Sequence, residues 1–381
     1  MIPDDDNANE NSYRQTEEHL LGGKMEGLKV ILRLGVFVLL ILALSSGEIR
    51  GCTSFAFSHN GRPLLASNYD NDLTSGMIFV NKRGLQKNGW EPSKAGETAS
   101  WAAKYGSVTF SCVGYQLAWA GMNERGLAIS TMALGETVNP VPDERPPLVS
   151  PLWMQYILDT CATVEDLMHS DGKVRIMDSV DHYLVCDREG HCAAVEFLDG
   201  KMVCHTAADL PVRVLANRPY SDCIDNWKKK KELQGTPYDS QSRFNRAAAM
   251  IAAFNPAKGS AVDYAFWILD SLRPPRNPEV TRWSIVFDMA NLEIHYKSYD
   301  NSNIRRIVLR EFDFSCRTPA KMLDVHNKLS ADISGAFRDY AHDLSLEFLL
   351  KAVLEQRPDF PREQIAPLLD LMEGYRCDSK E

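Results

Sequence analysis

From residue 52 onward the apolar positions come in short alternating runs, the pattern of strands rather than helices. "TSFAFS" alternates from Thr53, "GRPLLASN" turns into a second strand, and "GMIFVNK" supplies a third. "SVTFSCVG", "QLAWAGM" and "GLAISTM" continue the series, punctuated by Gly61, Gly76, Gly114, Gly121 and Gly126. The period then changes. "SPLWMQYILDTCATVEDLM" has helical spacing, with Ser150 as N-cap and Pro151 at the first helical position. A second strand set follows in "DHYLVCD", "CAAVEFL", "KMVCHT" and "VRVLAN". Helices are predicted over "SRFNRAAAMIAAF" and "AVDYAFWILDSL", and strands return in "RWSIVFDM", "LEIHYKS" and "RRIVLREF". From Thr318 to Glu381 the spacing is helical, broken at Pro358 and Pro361. Strands and helices in blocks predict an α+β fold of antiparallel sheets covered by helices. Residues 52–317 form its body and 318–381 a C-terminal helical extension.

Composition narrows the partners. With 44% hydrophobic and 24% charged residues over 381 positions, the chain is that of a globular protein with ample core. A net charge of -9 and a pI near 5.6 argue against nucleic acid, whose phosphates need a basic surface. The run Lys228 to Lys231 reads as a solvated helix face. Upstream, Leu34 to Leu44 is apolar, preceded by Lys24, Lys29 and Arg33 and followed by Ser45, Ser46 and Gly47. That order of basic, apolar and small residues predicts a signal peptide and a leader, residues 1–51, that is removed. The expected location is periplasmic or secreted, with membrane contact only through the signal or an uncleaved anchor. The acidic head Met1–Gly23 is unusual for a signal and makes Met25 an alternative start. Nine cysteines, an odd number, leave at least one thiol outside any intrachain pair. Cys186 and Cys192 flank the turn "DREGH" as cross-strand neighbours, bridged or reduced. With no CxxC or HExxH spacing, neither a metal nor a cofactor is expected.

The apolar run ends at "EIRGCTSF". Cys52 has three readings: a strand cysteine, a lipid-attachment site, or the first residue of a mature enzyme. Arg50 disfavours lipidation, which wants small residues just before the cysteine. As a mature N-terminus, Cys52 carries an α-amine of reference pKa about 7.7–8.0 beside a thiol of about 8.5. The amine can take the thiol proton directly or through a water, so nucleophile and base share one residue. Such a site also needs a carboxylate to hold the amine, a cation to favour thiolate and an amide donor for the oxyanion.

Groups of those types follow in order: "LLASNYD", "AGMNERGLAIS", "VLANRPY" and "SRFNRAA". With "CTSFAF", this series resembles the choloylglycine hydrolase family of N-terminal-nucleophile hydrolases, over Cys52 to about Phe314. The resemblance implies a four-layer αββα sandwich and hydrolysis of linear, non-peptide amide C–N bonds. It implies Cys52 as nucleophile, Asp70 as anchor of the α-amine, Asn217 as oxyanion donor and Arg243 as the basic residue near the thiolate. Asn68 and Tyr69 are expected to line the substrate pocket. Two positions depart from the bile salt hydrolase pattern. Ser67 stands where that pattern has arginine, and Ala133 where it has a polar side chain, so the oxyanion site would rely on Asn217 and a backbone N–H.

Each residue also has a plainer reading. Asp70 could close a turn, Asn217 could open one before Arg218-Pro219, and Arg243 could pair with Asp239 on a helix surface. Asn123 reads as a hairpin residue with a structural role, and Trp119, Trp267 and Trp283 as core. A rival hydrolase would pair an internal cysteine with a histidine such as His182. A silent envelope-anchored binding protein is a second rival, kept open by Ser67 and Ala133. The expected function is that of an exported amidase cutting a hydrophobic acyl group from a small amine. Its partner is a small-molecule acyl amide: a conjugated bile salt, a phenoxyacetyl-type penicillin, an N-acyl homoserine lactone or an N-acyl amino acid. Loops after Asp70 and around Val138–Pro147 would shape the acyl pocket. The C-terminal helices serve as a cap or as a homo-oligomer contact.

Overall fold

In a computed structural model the described residues are 51–229, 236, 238–255, 257, 259–274 and 280–377. The predicted signal segment and part of the Lys228–Lys231 run lie outside them. Most of the strands among the described residues pair into two large sheets. The first contains β1 (Thr53–His59), β2 (Arg62–Asp70), β14 (Val214–Leu215), β15 (Thr281–Asp288), β16 (Glu293–Ser298), β17 (Asn301–Val308) and β19 (Ala331–Asp332). Its order is β14-β1-β2-β15-β16-β17-β19.

The second sheet has nine strands. They are β3 (Met77–Asn81), β6 (Ser107–Ser111), β7 (Ala120–Asn123), β8 (Ala128–Ala133), β11 (Asp181–Cys186), β12 (Cys192–Leu198), β13 (Lys201–Thr206), β18 (Lys321–Asp324) and β20 (Arg338–Asp339). Their order is β13-β12-β11-β8-β7-β6-β3-β18-β20. Two small sheets, β9 (Pro147–Val149) with β10 (Arg175–Met177), and β4 (Leu85–Pro92) with β5 (Thr98–Ala102) and β21 (Arg376–Cys377), complete the set.

The two large sheets face each other. Phe110 of β6 meets the Tyr296 ring of β16 edge-on at 5.3 Å, and Ser130 of β8 donates to Ser54 of β1 at 2.8 Å. Helices cover both outer faces. Trp153 of α1 (Ser150–Thr160) packs on Tyr183 and Phe197 of the nine-stranded sheet, at 4.9 and 5.7 Å between ring centroids. On the other side, Phe57 of β1 meets Phe254, just past α4 (Ser240–Ala252), and Tyr264 of α5 (Ala261–Ser271). α2 (Val164–Met168) and α3 (Tyr220–Lys228) are shorter. The layers therefore run helix, sheet, sheet, helix: an α+β αββα sandwich. β1 is buried from Thr53 to Phe57 because both of its faces are covered, one by helices and one by the opposing sheet.

The element predictions need several corrections, the first at the start of α1, where Val149 and not Ser150 holds the N-cap position and Ser150 is the first helical residue. The helix predicted across 150–168 is two, because Thr163 caps a new start: its side chain accepts from Asp166 N–H, and Asp166 reciprocates. The strands β4 and β5 escaped the pattern. The segment after Thr318 is helical only in α6 (His342–Gln356) and α7 (Ala366–Glu373). Before them, β18 and β20 extend the nine-stranded sheet and β19 the seven-stranded one, so this segment completes the body of the fold. Disulfides join Cys186 to Cys192 across β11 and β12, and Cys316 to Cys377. Among the described residues no helix is long and apolar enough to cross a membrane.

Candidate active site

Cys52 sits one residue before β1, buried, where the edge of the β1–β2 pair brings it against the end of β2. Its Sγ lies 3.4 Å from the Asp70 backbone N–H and 3.5 Å from the Asp70 carbonyl oxygen. Asp70, the last residue of β2, is fully buried. The chain thus packs the two residues together through strand pairing.

Arg243 arrives from the helix layer. Asp239 caps α4 by accepting from Ser242 N–H, so the first turn of that helix is fixed where Arg243 points inward. Arg243 is 2% exposed and spans the site. One terminal nitrogen donates to the Gly51 and Cys52 carbonyls and to Thr53 Oγ1, and the other donates to Asn217 Oδ1 at 2.8 Å. Its Nε donates to the Tyr238 carbonyl at 2.9 Å. A guanidinium suits this duty because its donors are fixed in one plane. The surface pairing with Asp239 is not what the side chain does.

Asn217 follows β14, the neighbour of β1. Its Oδ1 accepts from Arg243, and its Nδ2 donates to the Ala133 carbonyl at 2.9 Å. Those two contacts allow only one orientation of the amide. Ala133, which lacks a polar side chain, therefore takes part through its backbone. Cys52, Asp70, Asn217 and Arg243, named from four separate stretches, meet in one place.

The expected pocket residues divide. Tyr69 stacks on Trp283 at 4.3 Å between centroids, and with Ser67, Trp119 and Thr131 it borders a cavity of about 10 Å³ between the sheets. That is room for about one water. Asn68 also borders it, yet commits its amide elsewhere: Nδ2 donates to the Leu269 carbonyl at 2.8 Å and Oδ1 accepts from Ser284 at 2.7 Å. Neighbours on a strand point to opposite faces, so this amide serves the helix layer. Ser67 is drawn into a hydroxyl relay, Ser130 to Ser54 to Ser67, each link 2.8 Å.

Other expectations resolve on their contacts. Asn123 Nδ2 donates to the Leu158 and Cys161 carbonyls, and Oδ1 accepts from Arg125 and Leu127 N–H, so it locks a hairpin to the end of α1. Trp119 and Trp283 are buried, but Trp267 is 58% exposed on the outer side of α5. His182 has both ring nitrogens engaged, one with Glu196 and one with the Ala216 carbonyl. That arrangement gives no support to a cysteine–histidine pair. Glu196, the element sequence reasoning missed, is fully buried. Burial alone would raise its pKa, but hydrogen bonds from His182 and His205 prevail and hold it near about 2.

Facing antiparallel sheets between helix layers, with a cysteine leading an inner strand, define the fold of the N-terminal-nucleophile hydrolases. The family described as linear amide C–N hydrolases, choloylglycine hydrolase family, matches residues 52–234. A protein called penicillin V acylase from Pectobacterium atrosepticum is 27% identical over 356 residues, covering 78% of this chain and 91% of that one. The structure of penicillin V acylase from Agrobacterium tumefaciens superposes with a TM-score of 0.67 at 26% identity, over 76% of this chain and 98% of that one. A conjugated bile acid hydrolase from Clostridium perfringens shares the fold, with a TM-score of 0.61 at 15% identity over 74% of this chain and 98% of its own. Over residues 52–234 the chain is thus similar to the choloylglycine hydrolase family of linear amide C–N hydrolases.

Proposed function

We propose that the mature protein begins at Cys52 and hydrolyses linear acyl amides with that residue as both nucleophile and base. The observation that carries this reading is the reach of Arg243, one guanidinium joining the Cys52 backbone to the side chain of Asn217. Asp70 holds the freed α-amine, the amine takes the thiol proton, and the thiolate adds to the substrate carbonyl. The second amide hydrogen of Asn217 meets the oxyanion, while the first stays on Ala133. The protonated amine then gives its proton to the leaving nitrogen as the C–N bond breaks. Water, activated by the same amine, hydrolyses the acyl-thioester and restores the thiol.

The same groups account for loss of the leader. Arg243 donates to the Gly51 carbonyl, the carbonyl of the bond to be cut. Attack by Sγ on that carbon breaks the Gly51–Cys52 amide, frees the amine and leaves a thioester that water cleaves. Signal, leader removal and export to the periplasm or medium form one proposal with the Cys52 chemistry.

For substrate we favour phenoxyacetyl amides of the penicillin V type over conjugated bile salts. Both relatives near 26–27% identity are called penicillin V acylases, and Ser67 removes the arginine of the bile salt hydrolase pattern. The test is hydrolysis of a panel of acyl amides while Cys52 is titrated with a thiol reagent. Activity falling in step with one alkylated thiol at residue 52 supports the reading, and activity that survives full alkylation there ends it.

A further inference from the structure

The strands behind the candidate site hold a buried polar cluster with no part in the chemistry above. His182 on β11 and Glu196 on β12 are both fully buried. His182 Nδ1 lies 3.0 Å from Glu196 Oε1, and its Nε2 contacts the carbonyl oxygen of Ala216, the residue before Asn217. Glu196 Oε1 also accepts from the Tyr220 backbone N–H at 2.9 Å, three residues after Asn217. Its second oxygen faces His205 Nε2 at 3.3 Å. The cluster therefore grips the segment Ala216–Tyr220 at both ends, with Asn217 between the grips. The Ala216 carbonyl only accepts, so the Nε2 of His182 donates to it. The low pKa of Glu196 agrees with an ionised carboxylate there.

We infer that His182 and Glu196 are positioning residues for the oxyanion donor: they fix the backbone on either side of Asn217 so that its amide meets the tetrahedral intermediate. The inference rests on the function proposed above. The two contacts of the Asn217 side chain set its orientation, and His182 and Glu196 set where its Cα stands. Neither touches substrate. A displacement of about 1 Å at a catalytic group can cost about 100-fold in rate, whereas loss of the whole donor costs about 100- to 1,000-fold.

The experiment compares His182→Gln, Glu196→Gln and Asn217→Ala, singly and with each brace variant combined with Asn217→Ala, in the processed enzyme. The readouts are kcat and KM for an acyl amide and the rate of Cys52 alkylation by iodoacetamide. The expected result is a kcat lowered about 10- to 100-fold with KM and alkylation unchanged, and no further loss when Asn217 is already alanine. Wild-type kcat in the brace variants, or the same fold loss in the Asn217→Ala background, overturns the inference. Glu196→Gln keeps side-chain volume and decides the matter by the same criteria if His182→Gln does not fold. Failure of the parent reading looks different: Cys52→Ala would then turn over amide as well as the wild type does.

Discussion

At the scale of single residues, the proposed chemistry depends on sulfur and on one amide. Cys52→Ser replaces a thiol with a far less acidic hydroxyl, and steady-state assays should show kcat down by at least about 100-fold with the fold intact by circular dichroism. On the proposed mechanism the Asn217 contact forms with the oxyanion and not with the bound ground state, so Asn217→Ala should lower kcat about 100- to 1,000-fold while KM holds. A raised KM with normal kcat would place Asn217 in uniform binding instead. That Cys52, Asp70, Asn217 and Arg243 would lie together was legible because each sits in a short motif and the motifs follow one another in order along the sequence. Glu196 was not, since a carboxylate inside the apolar strand "CAAVEFL" gives no hint of the partners that fold onto it. Asn68 misled for a related reason. Adjacent residues on β2 face opposite layers, and only the pairing partners reveal which layer holds the cavity.

Elements were read best where burial is one-sided or the cap chemistry is strong. The helices α4 and α5 show their periods because Asp239 and Ser260 cap them and one face packs on the sheet. The break at residues 161–163 was missed because apolar spacing runs on through "CATVEDLM", while the capping box at Thr163 restarts the chain in a new direction. Thr163→Ala removes one half of that box and should cost about 1 kcal/mol in urea unfolding, without effect on kcat. β18, β19 and β20 were missed for a different reason. They are two to four residues long, too short for any period to register, and exist only because existing sheet edges accept them.

For the molecule as a whole, two buried charged clusters set its response to pH and mutation. Glu196 titrates near about 2 when folded and from 4.5 when free. Ionisation therefore favours the folded state above pH 4.5, by about 3 kcal/mol, and that contribution is lost as pH falls towards 2. Urea titrations at successive pH values should show wild-type stability falling across this window, with Glu196→Gln flatter there. The second cluster pairs Lys87 with Asp159 at 2.8 Å, both side chains fully buried, with Trp101 and Gln155 also donating to the carboxylate. Asp159→Asn would strand the ammonium and should destabilise by about 3–5 kcal/mol, read as a lowered urea midpoint. A midpoint unchanged from wild type would show that the pair is not sealed from water.

The most direct test of the central claim is the intact mass of active, purified protein together with its N-terminal sequence. The account predicts a chain that starts at Cys52 with an unmodified α-amine, and loss of amide hydrolysis when that amine is selectively blocked. An active preparation that begins elsewhere, or whose Cys52 amine is acylated, contradicts it.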